Sequence, residues 1–115
     1  MPFSRGDVVL VLYPDSNLRT AKRRPAVIVQ RDNLQTGLPQ VILAMISSNL
    51  ARAGHPSRVS VAYSSPEGRQ MGLRTDSVVM TDNLTTVLDM EIDRSIGQVP
   101  DMFAIDAALR YTLGL

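Results

Sequence analysis

The feature that most constrains the fold of this chain is a series of short runs of branched apolar residues, separated by proline, glycine and small polar residues. Short runs at regular spacing are typical of the strands of a β-barrel or sheet. The first run, residues 7–13, is apolar almost throughout, which predicts a strand covered on both faces, as in a small barrel. The 115 residues suffice for one domain and are too few for two separate cores.

The remaining strands are predicted from the same alternation of apolar runs with proline, glycine and small polar residues. We place Pro25 at the start of the second strand, because a proline inside a sheet removes a ladder hydrogen bond. Residues 64–68, Ser-Ser-Pro-Glu-Gly, have the chemistry of a turn. Strands are therefore expected over residues 25–30, 40–46, 59–63, 76–82, 84–88 and 96–100.

The last segment differs in kind, because its apolar residues recur at helical spacing: Met102, Ile105, Leu109 and Leu113. This periodicity predicts a C-terminal helix that packs on the sheet, with Asp101 as its N-cap. Asp106 and Arg110 are four residues apart, which predicts an exposed ion pair on the opposite side of the helix.

Composition narrows the class of protein. Because the chain has no cysteine, it has no disulfide, no thiolate zinc site and no thiol nucleophile. With a single histidine, a dedicated transition-metal site is not expected either, and we predict no cofactor. No apolar run approaches the ~20 residues of a membrane helix, and the first residues lack a signal-peptide pattern. We expect a cytoplasmic protein without a membrane partner.

Positive charge is concentrated in the first half of the chain. Residues 1–58 carry eight Lys/Arg and three Asp, a balance of +5, whereas residues 59–115 carry four Arg and eight Asp/Glu, a balance of −4. Three cations, residues 22–24, stand directly before Pro25 and an apolar run. Taken alone, such a cluster is typical of a solvated turn. Because the cluster stands at the start of a predicted strand, which would fix the direction of the charged side chains, it is also a candidate anion site.

Several segments of the chain resemble the MazF/PemK family of toxins, in the family's order and spacing. They include Arg-Gly-Asp-Val-Val at 5–9, Arg-Arg-Pro-Ala-Val at 23–27, the run into Ser-Ser-Asn at 47–49, Gly-Leu-Arg-Thr-Asp at 72–76 and Ile-Gly-Gln-Val-Pro at 96–100. The Asp-Gln element of the family reads Asp82-Asn83 here. Together these segments and the terminal helix cover nearly the whole chain.

The resemblance implies a fold and a function. The fold is an SH3-like small β-barrel of the PemK/CcdB type, mainly β with a C-terminal helix. The function is that of a type II toxin–antitoxin toxin, a homodimeric endoribonuclease that cleaves single-stranded RNA such as mRNA without a metal. A cognate antitoxin inhibits it, and we expect an acidic or amphipathic tail to cover the basic groove.

Metal-free cleavage uses the 2′-hydroxyl of the RNA, which attacks the adjacent phosphorus and expels the 5′-oxygen. The products carry a 2′,3′-cyclic phosphate and a 5′-hydroxyl. The protein must stabilise the charged phosphorane, accept one proton and deliver another. A chain without cysteine is compatible with this reaction, because the nucleophile comes from the substrate.

The resemblance assigns Arg24 and Ser47 as catalytic residues. Arg24 matches the family's catalytic arginine, whose planar guanidinium can grip two phosphate oxygens and stabilise the transition state. Ser47 stands where many members have a threonine and keeps the hydroxyl, although a strand-end cap is an equal alternative. Asp82 matches an aspartate that is a base in some relatives with an arginine two residues earlier. Met80 occupies that earlier position here, which leaves Asp82 as a base, an orienting group or a turn cap.

The remaining candidates would bind RNA rather than cleave it. Phosphate contacts are expected from Arg19, Lys22 and Arg23, since such contacts position RNA without reading its sequence. With five Phe and Tyr and no Trp, base stacking is limited, so base readout falls to polar loop groups: Asn17, Ser48 and Asn49. The single histidine, His55, is interpreted as an exposed residue of a mobile loop.

Two alternatives to a nuclease remain open. One is a non-catalytic, CcdB-like toxin that binds a protein target such as gyrase. The other is a basic barrel that binds nucleic acid without cleaving it, which the serine at position 47 and the methionine at position 80 keep open. The Arg24-Pro25 and Ser47-Ser48-Asn49 elements favour the nuclease, since a protein-binding toxin has no need of a phosphate site.

Overall fold

A computed structural model describes residues 3–14, 19 and 21–115. Within these residues the chain forms six strands, two α-helices and one 3₁₀ turn. The elements are β1 Asp7–Pro14, β2 Ala21–Ile28, β3 Gln40–Ser47, β4 Arg58–Val61, α1 Pro66–Gln70, β5 Ser77–Leu88, the 3₁₀ turn Asp89–Glu91, β6 Ile92–Gln98 and α2 Phe103–Leu113. The mainly β fold with a C-terminal helix is confirmed.

All strands belong to one antiparallel sheet in the order β4-β5-β3-β2-β1-β6. In the part of the chain that the structure describes, pairing ends at β4 and β6. The sheet is therefore barrel-like but not closed by a hydrogen-bonded seam. The central strands β3, β2 and β1 have a strand on each side.

Alternate residues of the central strands supply two apolar clusters, one on each face of the sheet. We call one face of the sheet the strand face, because residues of β5 and β6 complete its cluster: Val9, Val11, Ala26, Ile28, Val41, Leu43, Met45, Val87 and Ile92. We call the other face the helix face, because α2 and the end of α1 cover its cluster: Val8, Val27, Ala44, Ile46, Met71, Val79 and Ile105. The first strand is therefore buried on both faces at Val8 and Val9, as its apolar run predicts, whereas Leu12 further along the helix face is 49% exposed.

The predicted start of β2 is wrong by four residues. The strand begins at Ala21, so Pro25 lies in its middle, opposite Leu10 of β1. The proline is tolerated because β3 pairs with β2 only from Ala26 to Ile28. At Pro25 the strand is bonded on one side only, where a missing N–H costs little.

The two segments predicted at 76–82 and 84–88 are one long strand, β5, with a bulge. The β3–β5 register changes from Ala44 opposite Leu84 to Met45 opposite Met80, so residues 81–83 are extra in the ladder. Thr81 anchors this bulge, because its hydroxyl donates to the Ser57 carbonyl oxygen (2.6 Å) in a fully buried position. The bulge contains the Asp82 element.

Three further expectations need correction. Residues 64–68 are not a simple turn but lead into α1, whose first turn is capped by Ser65 Oγ accepting from the Gly68 N–H (3.0 Å). Helix α2 has Met102 at its N-cap position, although Asp101 Oδ1 does accept from the Phe103 N–H (2.9 Å). Asp106 pairs with Arg5 at the other end of the chain (2.6 Å) rather than with Arg110.

Candidate functional site

The register of the β2–β3 ladder places Arg24 across from Ser47. The last bonded pair is Ala26 with Met45, and both residues belong to the strand-face cluster. Two residues further along each strand are Arg24 and Ser47, so alternation puts them on the same face. Paired strands lie ~4.8 Å apart, and here the ladder has just ended. The two predicted catalytic residues therefore share one face and one end of the sheet.

Arg24 extends from a rigid base. Its partner on β1 is Val11, which is fully buried in the strand-face cluster, while Arg24 itself is exposed. Pairing with β1 fixes the backbone of Arg24, and its exposed side chain starts from the strand face.

Ser47 ends β3 and starts a compact polar turn. Its Oγ accepts from the Asn49 N–H (3.0 Å), and Asn49 Oδ1 accepts from the Ala51 N–H (3.1 Å). Both side chains thus stabilise the turn through their oxygens. The Ser47 hydroxyl proton takes no part in that contact, so the residue is a strand-end cap and a hydroxyl donor at the same time. Ser48 and Asn49 are exposed beside it.

Asp82 forms a two-point ion pair with Arg58, a residue that the sequence did not single out as part of the site. Arg58 Nε donates to Asp82 Oδ1 (2.7 Å) and Arg58 Nη2 donates to Oδ2 (3.0 Å). These hydrogen bonds lower the pKa of Asp82 below its usual value, against the opposing effect of partial burial. Both oxygens of the Asp82 carboxylate are therefore bound by Arg58, and the group is poorly suited to accept a proton near neutral pH.

Arg58 lies directly opposite Met80 in the β4–β5 ladder. Met80 is the position to which the resemblance assigns an arginine in some relatives. Here the cation comes from the neighbouring strand instead, and its side chain is only 16% exposed. Sequence could not reveal this pair, because it depends on which residue of β4 lies opposite β5.

The two arginines flank Ser47 on the strand face. Ser47 pairs with Val78, which pairs with Ser60 on β4, and Ser60 is two residues along β4 from Arg58. Arg58 is thus two strands from β3, a distance of ~10 Å, and three from β2, ~14 Å. Arg24 stands one strand away on the other side. The strand face therefore carries a hydroxyl between two cations.

The predicted RNA-binding residues divide between the two faces. Lys22 is exposed and alternates with Arg24 onto the strand face. Arg23 alternates onto the helix face, where its Nε meets Asp93 Oδ2 at 3.1 Å. Arg19 is exposed, and Asn17 lies outside the described residues.

His55 is exposed, but it is held by contacts rather than lying in the unconstrained loop that the sequence suggested. Its Nδ1 accepts from the Ser57 N–H (3.1 Å) and lies 2.8 Å from Ser57 Oγ. The ring also meets Tyr111 of α2 edge-on, with centroids 6.0 Å apart. The backbone contact assigns the neutral ring a proton on Nε2. These contacts tie the loop before β4 to α2 and so help to fix Arg58.

Across the described ranges, no three His, Cys, Asp or Glu side chains come together in a way that could hold a metal ion. None of the helices in those ranges is long and apolar enough to cross a membrane.

Comparison with known proteins identifies relatives along the whole chain. The family model of PemK-like, MazF-like toxins of type II toxin–antitoxin systems matches residues 4–113. Endoribonuclease MazF6 of Mycobacterium tuberculosis is 33% identical over 119 aligned residues, and the match covers all of both chains. These matches confirm the resemblance on which the site residues were chosen.

Solved structures confirm the fold class. A mycobacterial endoribonuclease in complex with its cognate antitoxin matches 98% of this chain and 96% of its own, with a TM-score of 0.73 at 24% identity. MazE–MazF of Deinococcus radiodurans matches 100% of this chain and 99% of its own, with a TM-score of 0.76 at 15% identity.

Proposed function

The chain belongs to the PemK-like, MazF-like toxins of type II toxin–antitoxin systems, and we propose that it is an endoribonuclease that cleaves single-stranded RNA on its strand face. The reaction is the metal-independent attack of the RNA 2′-hydroxyl, with a preference for a short sequence motif. Its products are a 2′,3′-cyclic phosphate and a 5′-hydroxyl. Cleavage of cytoplasmic mRNA inhibits translation and growth.

The observation that carries this proposal is the shared register of Arg24 and Ser47. They lie across from each other, two residues beyond the last bonded pair of the β2–β3 ladder, on the same face. A phosphate seated in this gap meets a guanidinium on one side and a hydroxyl on the other. Because the strands fix both backbone positions before substrate binds, less reorganisation opposes the reaction.

Each side chain has a separate role. Arg24 binds two non-bridging oxygens and stabilises the charge of the phosphorane. Ser47 donates its proton to a phosphate oxygen or to the 2′-oxygen, while Asn49 holds its oxygen in place. Asp82 orients Arg58, which presents a second cation to a neighbouring phosphate.

The RNA strand is held by residues around this centre. Lys22 and Arg19 contact phosphates, and exposed Ser48 and Asn49 offer polar groups to the bases at the end of β3. Asn17 is assigned the same role from sequence. The functional form is a homodimer, and a cognate antitoxin neutralises it.

The experiment that tests the proposal is cleavage of single-stranded RNA by purified protein in excess EDTA, followed by analysis of the product ends. Cyclic-phosphate and 5′-hydroxyl ends are expected, and Arg24→Ala should lose them. Arg110→Ala, at an exposed position on α2, is a matched control that keeps activity. Intact RNA across a varied set of sequences would contradict the proposal. It would then favour a non-cleaving barrel or a CcdB-like toxin that binds a protein target.

A further inference from the structure

A buried hydroxyl beside α2 has no part in the proposed cleavage reaction. Thr81 of β5 is fully buried, and its Oγ1 has three polar contacts: the Ser57 carbonyl oxygen (2.6 Å), the Thr112 hydroxyl (2.7 Å) and the Ala108 carbonyl oxygen (3.3 Å). Ser57 directly precedes β4, whereas Ala108 and Thr112 belong to α2. One side chain therefore joins the loop before β4, the bulge of β5 and the terminal helix.

The hydrogen bonds around Thr81 follow from its single hydroxyl proton. The shortest contact, to the Ser57 carbonyl oxygen, takes that proton. The Thr112 hydroxyl then donates to Thr81 Oγ1. The backbone N–H of Thr81 donates to the same Ser57 carbonyl oxygen at 3.1 Å. Ser57 is thus held by two donors from one residue, in a site where an unmade hydrogen bond is costly.

The residue that Thr81 holds is the one before Arg58. Ser57 is 3% exposed. Its N–H donates to His55 Nδ1 (3.1 Å), while its carbonyl oxygen accepts from Thr81. The Arg58 N–H donates to the His55 carbonyl oxygen at 2.9 Å. The backbone that leads into Arg58 is therefore fixed by hydrogen bonds before β4 begins.

Thr81 is also the residue before Asp82. In the ladders of the described strands, β3 pairs with β5 at Met80 and again at Leu84, but not between them. The β4–β5 ladder ends where Arg58 lies opposite Met80. Asp82 thus lies in a part of β5 that neither ladder holds, and the anchored side chain of Thr81 is the fixed point next to it.

The contact between Thr81 and Ser57 therefore sets the spacing of the Arg58–Asp82 ion pair. Arg58 Nε and Nη2 bond the two carboxylate oxygens at 2.7 and 3.0 Å. These contacts use two of the five N–H groups of a guanidinium, so the others can face a phosphate. Because Thr81 and Ser57 each adjoin one member of the pair, a shift between them changes the distance from Arg58 to Asp82.

We propose that Thr81 is a positioning residue for RNA binding, whose buried hydroxyl holds Arg58 and Asp82 together so that Arg58 presents its remaining N–H groups to a phosphate of single-stranded RNA. This assignment rests on the RNA-cleavage function proposed above and deepens it. Thr81 touches no RNA and acts through Arg58. Its contact with Thr112 brings α2 into the same support, so the terminal helix helps to fix a cation on the strand face.

The test is a double-mutant cycle between Thr81 and Arg58. The probe is a fluorescently labelled single-stranded oligonucleotide without 2′-hydroxyls, and its affinity is measured by anisotropy. Thr81→Val keeps the shape of the side chain and removes the hydroxyl, so it should weaken binding by about threefold to tenfold. Thr81→Ser should restore binding. In the Arg58→Gln background, Thr81→Val should cause no further loss, because its effect passes through Arg58. In cleavage assays the loss should fall on KM rather than on kcat.

A second readout requires no RNA. In Thr81→Val, the pKa of Asp82 measured by NMR titration should rise toward that of an unpaired aspartate, because the hydrogen bonds from Arg58 are the main cause of its lowered value. Thr81→Ser should keep this pKa low. Val87→Ala is the matched control, since Val87 is buried on the same strand, opposite Val41. It should destabilise the fold and leave both the pKa of Asp82 and the oligonucleotide affinity unchanged.

Three results would overturn the proposal: wild-type affinity in Thr81→Val, independent losses that multiply in the cycle with Arg58→Gln, or an unchanged pKa of Asp82. Each would mean that Thr81 supports the fold without placing Arg58. If Thr81→Val does not fold, Thr112→Val replaces it, with a smaller effect in the same direction. Failure of the nuclease proposal shows as wild-type protein that leaves RNA intact, whereas failure of the positioning role shows in the variants of an active protein.

Discussion

Arg23 and Arg24 are neighbours in the sequence but lie on opposite faces of the same strand. Arg24 stands over the strand face, beside the unpaired end of the β2–β3 ladder and across from a hydroxyl. Arg23 stands over the helix face, beside Asp93 and a pocket that Leu73 and Ile96 help to line. The charge is the same, but the surroundings differ. Charged residues that follow one another on a strand therefore lie on opposite faces of the sheet. The surroundings of each residue have to be described separately.

The largest difference between the faces is expected in catalysis. Arg24→Ala should lower kcat for RNA cleavage by about 10²–10³-fold, because it removes a positioned donor to the phosphorane. Arg24→Lys should recover little, since an ammonium cannot reproduce the two-point contact. Arg23→Ala should stay close to wild type. Initial rates in EDTA measure all three, and equal losses at the two arginines would remove the distinction between the faces.

The packing of the segment after α1 on β6 should be sensitive to a single methyl group, because a Cβ atom at Gly72 would overlap the carbonyl oxygen of Ile96. Gly72→Ala combines a left-handed φ with a backbone overlap, so a loss of about 2 kcal/mol or more in the free energy of unfolding is expected. Gly37→Ala has a similar φ (+81°) but no atom within 4 Å of the new Cβ, and Gly54→Ala has neither problem. Thermal unfolding should rank the three in that order. Equal melting temperatures would mean that Gly72 does not pack on the backbone of β6 as described.

A smaller loss of activity is expected when the hydroxyl of Ser47 is removed from the strand face. Ser47→Ala should lower kcat about tenfold, the value of one hydrogen bond to a charged group, and Ser47→Thr should keep most activity. Ser60→Ala is the matched control, because Ser60 lies in the same cross-strand row while its hydroxyl donates to the Ala53 carbonyl oxygen. Full activity in Ser47→Ala would leave that residue as a turn cap only.

The smallest effect is expected at Asp82, and it depends on pH. Arg58 lowers the pKa of Asp82 in the folded protein, so the pair stabilises the fold above the unfolded-state pKa. This contribution is lost as pH falls through the lowered folded-state value. Stability of wild type relative to Arg58→Gln should thus be constant near neutral pH and disappear in acid below about pH 4.

The expected size is small, because exposed ion pairs contribute about 0–1 kcal/mol and the Asp82 side chain is 42% exposed. Urea unfolding at several pH values measures the difference. An NMR titration of Asp82 should give a lower pKa in wild type than in Arg58→Gln. A higher pKa in wild type would return Asp82 to the role of a base.

Sequence predicts the buried parts of this fold better than its edges. The strands β1 and β3 were predicted within one residue, since their runs are apolar and most of their described side chains are buried. The first half of β2 was missed because it is bonded only to β1. The start of β6, Ile92 to Ser95, was missed for the same reason, as an edge strand with exposed Asp and Arg residues.

For the site, sequence supplies residue types and the structure supplies their pairing. The resemblance indicated Arg24, Ser47 and Asp82 by matching motifs. Arg58 has no motif of its own, and its contact with Asp82 follows from the bulge at residues 81–83 and the β4–β5 register. Hydrogen-bond register is a tertiary property, so no local pattern could have predicted this contact.

The most direct measurement of the central claim is the map of ¹⁵N chemical-shift changes that a single-stranded oligonucleotide without 2′-hydroxyls produces in the wild-type protein. Such a ligand occupies the phosphate positions and cannot be cleaved. The two-face account predicts changes at Arg24, Ser47 and Ser48, whereas Arg74 and Arg94, which line a pocket on the helix face, should be unaffected. Changes centred on Arg74 and Arg94, with Arg24 and Ser47 silent, would contradict it.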